Sequence, residues 1–401
     1  MSLSSSQRVF LESIASADPE GRFVIVDGIQ TFYKISVPQQ EEKKEELQHV
    51  NNNDNTNPDK PVILCLHHIL GDLYEWKYIV QPLANATGCH VIAYDRISFG
   101  LTERPIQWEK DKNPYTQEAL CEFILKFLSC LGYADKKIVF VGASAGGAIS
   151  SYLSIKYPHI TFALIHICPA IKVEDQGPPP IACMILGSFP GRLVLKYYLS
   201  RELPSRLLYY DVKSIPDWET VIRPHYRVQL TLPNFYEAIS FQLKYFTPLE
   251  ILPHKNVLQK IPTLFIVGND DKYTTCDAHK KVFEEIESNS PSDSILEFKV
   301  LTQCAHLPHE EKPQEAFFTQ EQSKWEHALK IGGAALVATL MAPYIVTVIV
   351  GTMGFGASGI TAGSFAAWTM SLYNGAVTTG SVCAILQSIG AAGLGTVYIV
   401  I

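Results

Sequence analysis

Residues 137–158, KIVFVGASAGGAISSYLSIKYP, decide the fold. The segment opens on an apolar, β-branched run with the composition of a buried strand and closes on a plausible helix. Between the two lies Gly142-Ala143-Ser144-Ala145-Gly146. In a chain with 25 glycines a G-x-S-x-G match is weak alone, and its setting decides its meaning. A tight turn from strand to helix lifts a serine hydroxyl above the sheet edge. The small residues Ala143, Ala145, Gly146 and Gly147 leave room for that turn to close. Ser144 is thus a candidate nucleophile. A serine at neutral pH also needs a base, and the base needs an acid to hold it.

Outward from this segment, apolar strands alternate with amphipathic helices. Strands are predicted at 61–66, 90–94, 137–142, 162–168, 262–268 and 295–301, as near-continuous apolar runs suited to a parallel sheet covered on both faces. Between them, residues 116–132 place Leu120, Phe123, Ile124, Phe127, Leu128 and Leu131 on one helical face, ending at Gly132. Residues 22–37 read as a hairpin turning at Asp27-Gly28. The alternation predicts a doubly wound α/β fold. The gap between the strands ending at 168 and beginning at 262 is too long for a simple crossover and predicts an inserted helical lid over about residues 170–255. Residues 39–60, a charge run followed by an Asn-rich run, read as a disordered insertion, and 1–21 as an N-terminal segment.

Two further stretches supply the missing chemistry in chain order. FIVGNDDKYT (265–274) offers Asp270 and Asp271 at the end of a strand, where ligands and catalytic groups collect in open α/β sheets. LTQCAHLPHEEKP (301–313) offers His306 and His309 after the last strand.

Residues 22–325 resemble the α/β-hydrolase superfamily in its lid-bearing esterase, lipase and C–C-bond hydrolase branch. The family's G-x-x-D pattern matches Gly268 to Asp271 and selects Asp271, and its pattern around the histidine runs from His306 through Glu311 to Pro313 and selects His306. AYDRISFGLTERP (93–105) is similar to the family segment after its fourth strand. The resemblance implies a Ser144–His306–Asp271 triad, an oxyanion hole made by the N–H groups of Ile69 and Ala145, and no metal or organic cofactor. Relatives that hydrolyse epoxides or remove halogens resemble one another in using Asp where Ser144 stands, which disfavours those reactions. One position departs from the pattern. In LHHILGD (66–72) His68 replaces the usual glycine, either restricting the backbone that aims one oxyanion donor or occupying a conformation open to any residue. The expected activity is hydrolysis of an ester or related acyl substrate, with lipids among the candidates. The alternative is an impaired module that binds a lipid or a protein.

Composition narrows the partners. With 33 Lys+Arg against 40 Asp+Glu the net charge is −7, against nucleic acid. Nine scattered cysteines without a C-x-x-C pair suggest reduced thiols, and residues 1–20 lack the apolar core of an export signal, so the hydrolase body is expected in the cytosol. Nothing in the composition sets an oligomeric state.

The tail is a different material. Residues 331–401 hold no Asp, Glu, Lys or Arg, where a soluble segment of that length would carry about 17. They hold 12 of the 25 glycines, which membrane helices tolerate better than soluble ones. Spans are predicted at 331–350, 351–370, with Gly359-x-x-x-Gly363, and 376–401. Residues 354–395 are similar to the small interferon-alpha-inducible hydrophobic proteins, a resemblance that implies glycine-rich helices in a mitochondrial or endoplasmic reticulum membrane. The expectation is an all-α membrane tail, residues 331–401, with Lys324 and Lys330 keeping the hydrolase on the cytosolic side.

Overall fold

At the hairpin, Asp27 and Gly28 both take positive φ (49° and 79°), the two-residue turn that matches the twist of the strands it joins. Strands β1 (Arg22–Val26) and β2 (Ile29–Ser36) pair antiparallel, and β2 continues antiparallel onto β4 (Val91–Tyr94). The remaining strands, β3 (Val62–Leu66), β5 (Ile138–Ala143), β6 (Thr161–Ile167), β7 (Thr263–Gly268) and β8 (Leu296–Leu301), run parallel. The sheet order is β1-β2-β4-β3-β5-β6-β7-β8. A computed structural model of the chain describes residues 20–39, 60–171, 188–199, 208–215, 218–219, 223–246, 250–318, 355–356 and 359–360.

The centre of the sheet is the hydrophobic core. Every residue of β3, β4 and β5 is buried, as continuous apolar runs require when helices cover both faces. Those helices include α1 (Val80–Thr87), α2 (Gln117–Cys130) and α3 (Ala145–Lys156). Helix α2 is delimited by local chemistry. Thr116 Oγ1 accepts the Ala119 N–H at 3.2 Å, and Gly132 (φ 85°) ends the helix with N–H bonds from Gly132 to Ser129 and from Tyr133 to Leu128. Its Leu120, Phe123, Ile124, Phe127 and Leu128 are buried, the face that the periodicity predicts.

Between β6 and β7 the lid contributes α4 (Phe189–Leu199), α5 (Arg223–Thr231) and α6 (Phe235–Tyr245). Leu199, Phe235 and Ile239 form a buried cluster with Phe99, and Ile69 and Leu70 pack against it. Lid helix α5 is also fixed by one buried amide. Gln229 Nε2 donates to Asp72 at 2.6 Å and its Oε1 accepts the Gly100 N–H at 3.1 Å. Helix α7 (Cys276–Glu287) covers β7 and β8.

The chain divides into two compact units, Met1–Asn85 with Cys89–Thr319, and Ala86–Gly88 with Gln320–Ile401. In the tail, Phe355–Gly356 and Gly359–Ile360 form a short antiparallel strand pair. This corrects the all-α expectation at those four residues, which are extended where a helix was expected; Gly356 and Gly359 weaken helical propensity there. Among the described residues no helix is long and apolar enough to cross a membrane. The rest of the predicted spans, residues 40–59 of the predicted insertion and residues 1–19 of the N-terminal segment lie outside the described residues.

Candidate active site

Ser144 sits between the last residue of β5 and the first of α3, with φ 49° and ψ −114°. A non-glycine residue there is strained, and its surroundings hold it in place. Its N–H donates to Ile167 O at 2.9 Å, and its carbonyl accepts from Ala148 N and Ala170 N. Gly146 lets the turn press against the end of β3, since a Cβ there would overlap the Leu66 carbonyl. The Ser144 Oγ is buried and makes no hydrogen bond. An unbonded hydroxyl at the N-terminus of a helix is free to act as a nucleophile, and the lack of a bond to a base without substrate bound does not exclude that role.

The structure brings Asp271 and His306 together. His306 Nδ1 lies 2.7 Å from Asp271 Oδ2, and both side chains are almost wholly buried. Asp271 Oδ1 accepts the N–H groups of Tyr273 (2.7 Å) and Thr274 (3.0 Å), and Oδ2 accepts the Thr274 hydroxyl at 2.8 Å. Burial alone would raise the Asp271 carboxyl, but the His306 contact and the backbone donors outweigh it and hold the pKa below the ordinary value. The acid is therefore ionised and oriented. Asp270 takes no part in this pair. His309 is fully buried, stacked on Trp76 with ring centroids 4.5 Å apart, and burial lowers its pKa.

The loop after β3 makes the third part of the site. His68 to Gly71 is a β-turn closed by Gly71 N to His68 O at 3.2 Å, and its positive φ falls on Leu70 (69°). His68 itself has no positive φ, so the conformation at that position is open to any residue. Three donors converge on the His68 carbonyl: Gly71 N, Arg96 Nη2 at 3.0 Å and His67 Nδ1 at 2.7 Å. A trans peptide points its N–H opposite to its C=O, so gripping this carbonyl aims the Ile69 N–H the other way. His67 accepts the Arg96 N–H at Nε2, and burial followed by the Arg96 charge pushes its pKa well below the ordinary value, which fits a neutral ring. Ala145 opens α3, where an N–H has no intrahelical acceptor.

Several groups near the site carry no sequence signal. Cys168 is buried beside the acid and base, with a ligand atom within 4.8 Å of theirs. Burial, then the Asp271 charge, pushes its thiol well above the usual value. Among the described residues this trio is the group that could hold a cation, but the Asp271 and His306 atoms already bond each other and the thiol is protonated. Glu75 is buried between His68 and His309. The lid reaches the histidine loop at three points. His306 N donates to Leu208 O (3.0 Å), Tyr210 N donates to Glu311 (2.7 Å), and the buried Tyr209 hydroxyl donates to Glu310 Oε2 (2.5 Å). Burial, and then the Glu75 charge, push Glu310 up to about 8.

Comparison with known proteins agrees with this architecture. Residues 61–186 match the family model for the alpha/beta hydrolase fold, and residues 331–401 match that of the interferon-induced 6-16 family. The chain is 22% identical over 277 residues to the AB hydrolase superfamily protein YfhM of Bacillus subtilis, covering 64% of this chain and 87% of that protein. It is 23% identical over 236 residues to a pimeloyl-[acyl-carrier protein] methyl ester esterase of Hamiltonella defensa, covering 58% and 81%. Among solved structures, a bacterial membrane phospholipase A superposes with a TM-score of 0.54 at 17% identity, over 82% of this chain and 92% of that one. The first unit of this chain is an α/β-hydrolase fold, joined to a tail that matches the interferon-induced 6-16 family.

Proposed function

We propose that this protein is a serine hydrolase of esters or related acyl compounds. Ser144 Oγ attacks the acyl carbon while His306 Nε2 takes its proton. Asp271 holds the His306 Nδ1–H and stabilises the imidazolium. The Ile69 and Ala145 N–H groups receive the charge that develops on the carbonyl oxygen, a role worth about 3–4 kcal/mol per donor. The imidazolium then protonates the leaving alcohol, and water activated by His306 clears the acyl-enzyme. The observation that carries this reading is the buried Asp271–His306 bond on the same sheet edge as a strained, unpartnered Ser144. The esterase among the relatives supports the same class. Labelling with a fluorophosphonate probe tests it: wild type should label, and Ser144→Ala should not. Equal labelling, or none in folded wild type, removes the assignment.

For the substrate we infer an ester with a medium or long acyl chain, such as a monoacylglycerol. The cluster of Phe99, Leu199, Phe235 and Ile239 beside Ile69 supports this, since lid and oxyanion loop meet there through apolar contacts. A screen of esters by acyl length should favour medium or long chains, and a hundredfold preference for small polar esters would refute it.

We further infer that residues 331–401 anchor the protein in an intracellular membrane with the hydrolase in the cytosol. The charge-free tail, the Lys324 and Lys330 flank and the family match of the tail support this. Alkaline carbonate extraction should release a chain ending at Lys330 and retain the full-length protein. Equal release refutes the anchor.

A further inference from the structure

Glu75 grips a single residue twice. Its Oε1 accepts the His68 backbone N–H at 3.1 Å, and its Oε2 lies 2.5 Å from His68 Nδ1. It sits in the 3-10 turn Leu73–Trp76, which Asp72 starts by accepting the Tyr74 N–H at 2.9 Å. On the far side, His309 Nε2 lies 3.3 Å from Glu75 Oε1, and the His309 ring is stacked on Trp76. One carboxylate thus touches both the turn that carries Ile69 and the turn that follows His306.

The pocket is built for this contact. Gly71 lies against the pair so closely that a Cβ would overlap both Glu75 Oε2 and His68 Nδ1. Glu75 is 4% exposed and His68 6%. A carboxylate that dry is costly unless it is paired and hydrogen-bonded. Burial on its own raises the Glu75 pKa, yet the His68 charge and the contacts with His309 and His68 bring it below the ordinary value. The group is therefore an ionised acceptor with both oxygens engaged.

Two grips then fix one stretch of backbone. Glu75 holds the peptide before His68 by its N–H and the side chain by its ring. Arg96 and His67 hold the peptide after His68 by its carbonyl. The Ile69 N–H belongs to that second peptide. Glycine at position 68 would offer no ring to hold, so the residue that departs from the family pattern is the handle by which this loop is held.

We propose that Glu75 is a positioning residue which, through His68, sets the direction of the Ile69 N–H toward the oxyanion. The proposal rests on the Ser144 hydrolase reading and on Ile69 as an oxyanion donor. Glu75 acts on the transition state by way of a neighbour and does not touch substrate.

The test uses full-length protein, p-nitrophenyl butyrate as substrate and a trifluoromethyl ketone as transition-state analogue, whose carbonyl adds Ser144 and leaves an oxyanion. Glu75→Gln keeps the size and one acceptor. It should lower kcat/KM by about 10- to 100-fold, the usual range for groups that orient a site from behind. The loss should fall on kcat, with KM within twofold, and analogue affinity should fall in parallel. His68→Gly should lower kcat/KM about tenfold. In that background Glu75→Gln should add less than threefold, because its handle is gone. An equal loss from Glu75→Gln in both backgrounds, a loss confined to KM, or a gain on His68→Gly overturns the proposal.

If Glu75→Gln does not fold, His68→Asn and His68→Leu carry the test. Asn keeps a side-chain N–H for Glu75 and should retain activity within about fivefold, whereas Leu should lose about 10- to 100-fold. Equal activity of the two refutes the proposal. Wild type that neither labels at Ser144 nor turns over refutes the hydrolase reading and this inference with it. Wild type that labels beside a Glu75→Gln of undiminished kcat/KM refutes this inference alone.

Discussion

Replacing Glu310 by Gln should remove a pH dependence of stability that the fold imposes. Glu310 is 3% exposed and bonded to the Tyr209 hydroxyl at 2.5 Å. Burial and the Glu75 charge raise its pKa from 4.5 to about 8. Between those values the native chain holds a proton that the unfolded chain has released. The contribution of Glu310 to stability is therefore greatest below pH 4.5 and falls as pH rises, by about 1.4 kcal/mol per pH unit, until the native group ionises near pH 8. From pH 6 to pH 8 this amounts to about 2–3 kcal/mol, a sizeable share of ordinary domain stability. Gln has the shape and hydrogen-bonding capacity of the protonated acid and does not titrate. Urea unfolding of both proteins at pH 6, 7 and 8 should show the variant gaining on wild type by that amount, whatever the offset at pH 6. Difference curves that stay flat across the range would show that Glu310 is ionised in the native state, and that the lid contact through Tyr209 is a charged one.

Three other substitutions probe separate contacts. Gly146→Ala drives a Cβ into the Leu66 carbonyl and should cost about 1–3 kcal/mol with loss of Ser144 labelling, measured by thermal unfolding and probe reactivity. Retained labelling at wild-type stability would refute the close approach. Gln229→Ala leaves the Gly100 N–H and the Asp72 carboxylate without their lid partner. It should destabilise by about 2–4 kcal/mol in urea, against a few tenths if the amide bonds are incidental. Thr116→Ala removes a helix cap on a residue that bonds none of the candidate site residues, and should cost about 1 kcal/mol while leaving kcat/KM unchanged.

The sheet was legible because a strand buried on both faces must be written as an apolar run. Residues 61–66 and 137–142 are such runs, and β3 and β5 lie within a residue of those bounds. Chain order and strand ends were enough to single out Ser144 and to narrow the acid and base to Asp270 or Asp271 and His306 or His309. Choosing within each pair took the family patterns, and the structure pairs Asp271 with His306. What escaped depends on distance through space. Tyr209 and Glu310 meet across 101 residues, and neither the aromatic nor the acid advertises the other. The His68–Glu75 contact spans a 3-10 turn, which leaves no periodic pattern. The glycine missing at position 68 raised the question of strain, but the left-handed residue is Leu70, two places on. In the tail, a glycine-rich apolar composition carries no period that separates strand from helix, so the strand pair of Phe355–Gly356 with Gly359–Ile360 was read as part of a helix.

The order of strands across the sheet also sets when the residues of the candidate site come together during synthesis. Strand β5, which presents Ser144, pairs with β3 and β6, all of which precede the lid in the chain. Asp271 and His306 follow β7 and β8, which can join the edge of the sheet only after the whole lid has emerged. Pairings over such sequence separations are slow, because loop closure must precede any contact that rewards it. On the proposed hydrolase reading, a ribosome-bound chain carries Ser144 for many residues before His306 is made, and a nascent or prematurely terminated product ending before His306 should be chemically silent.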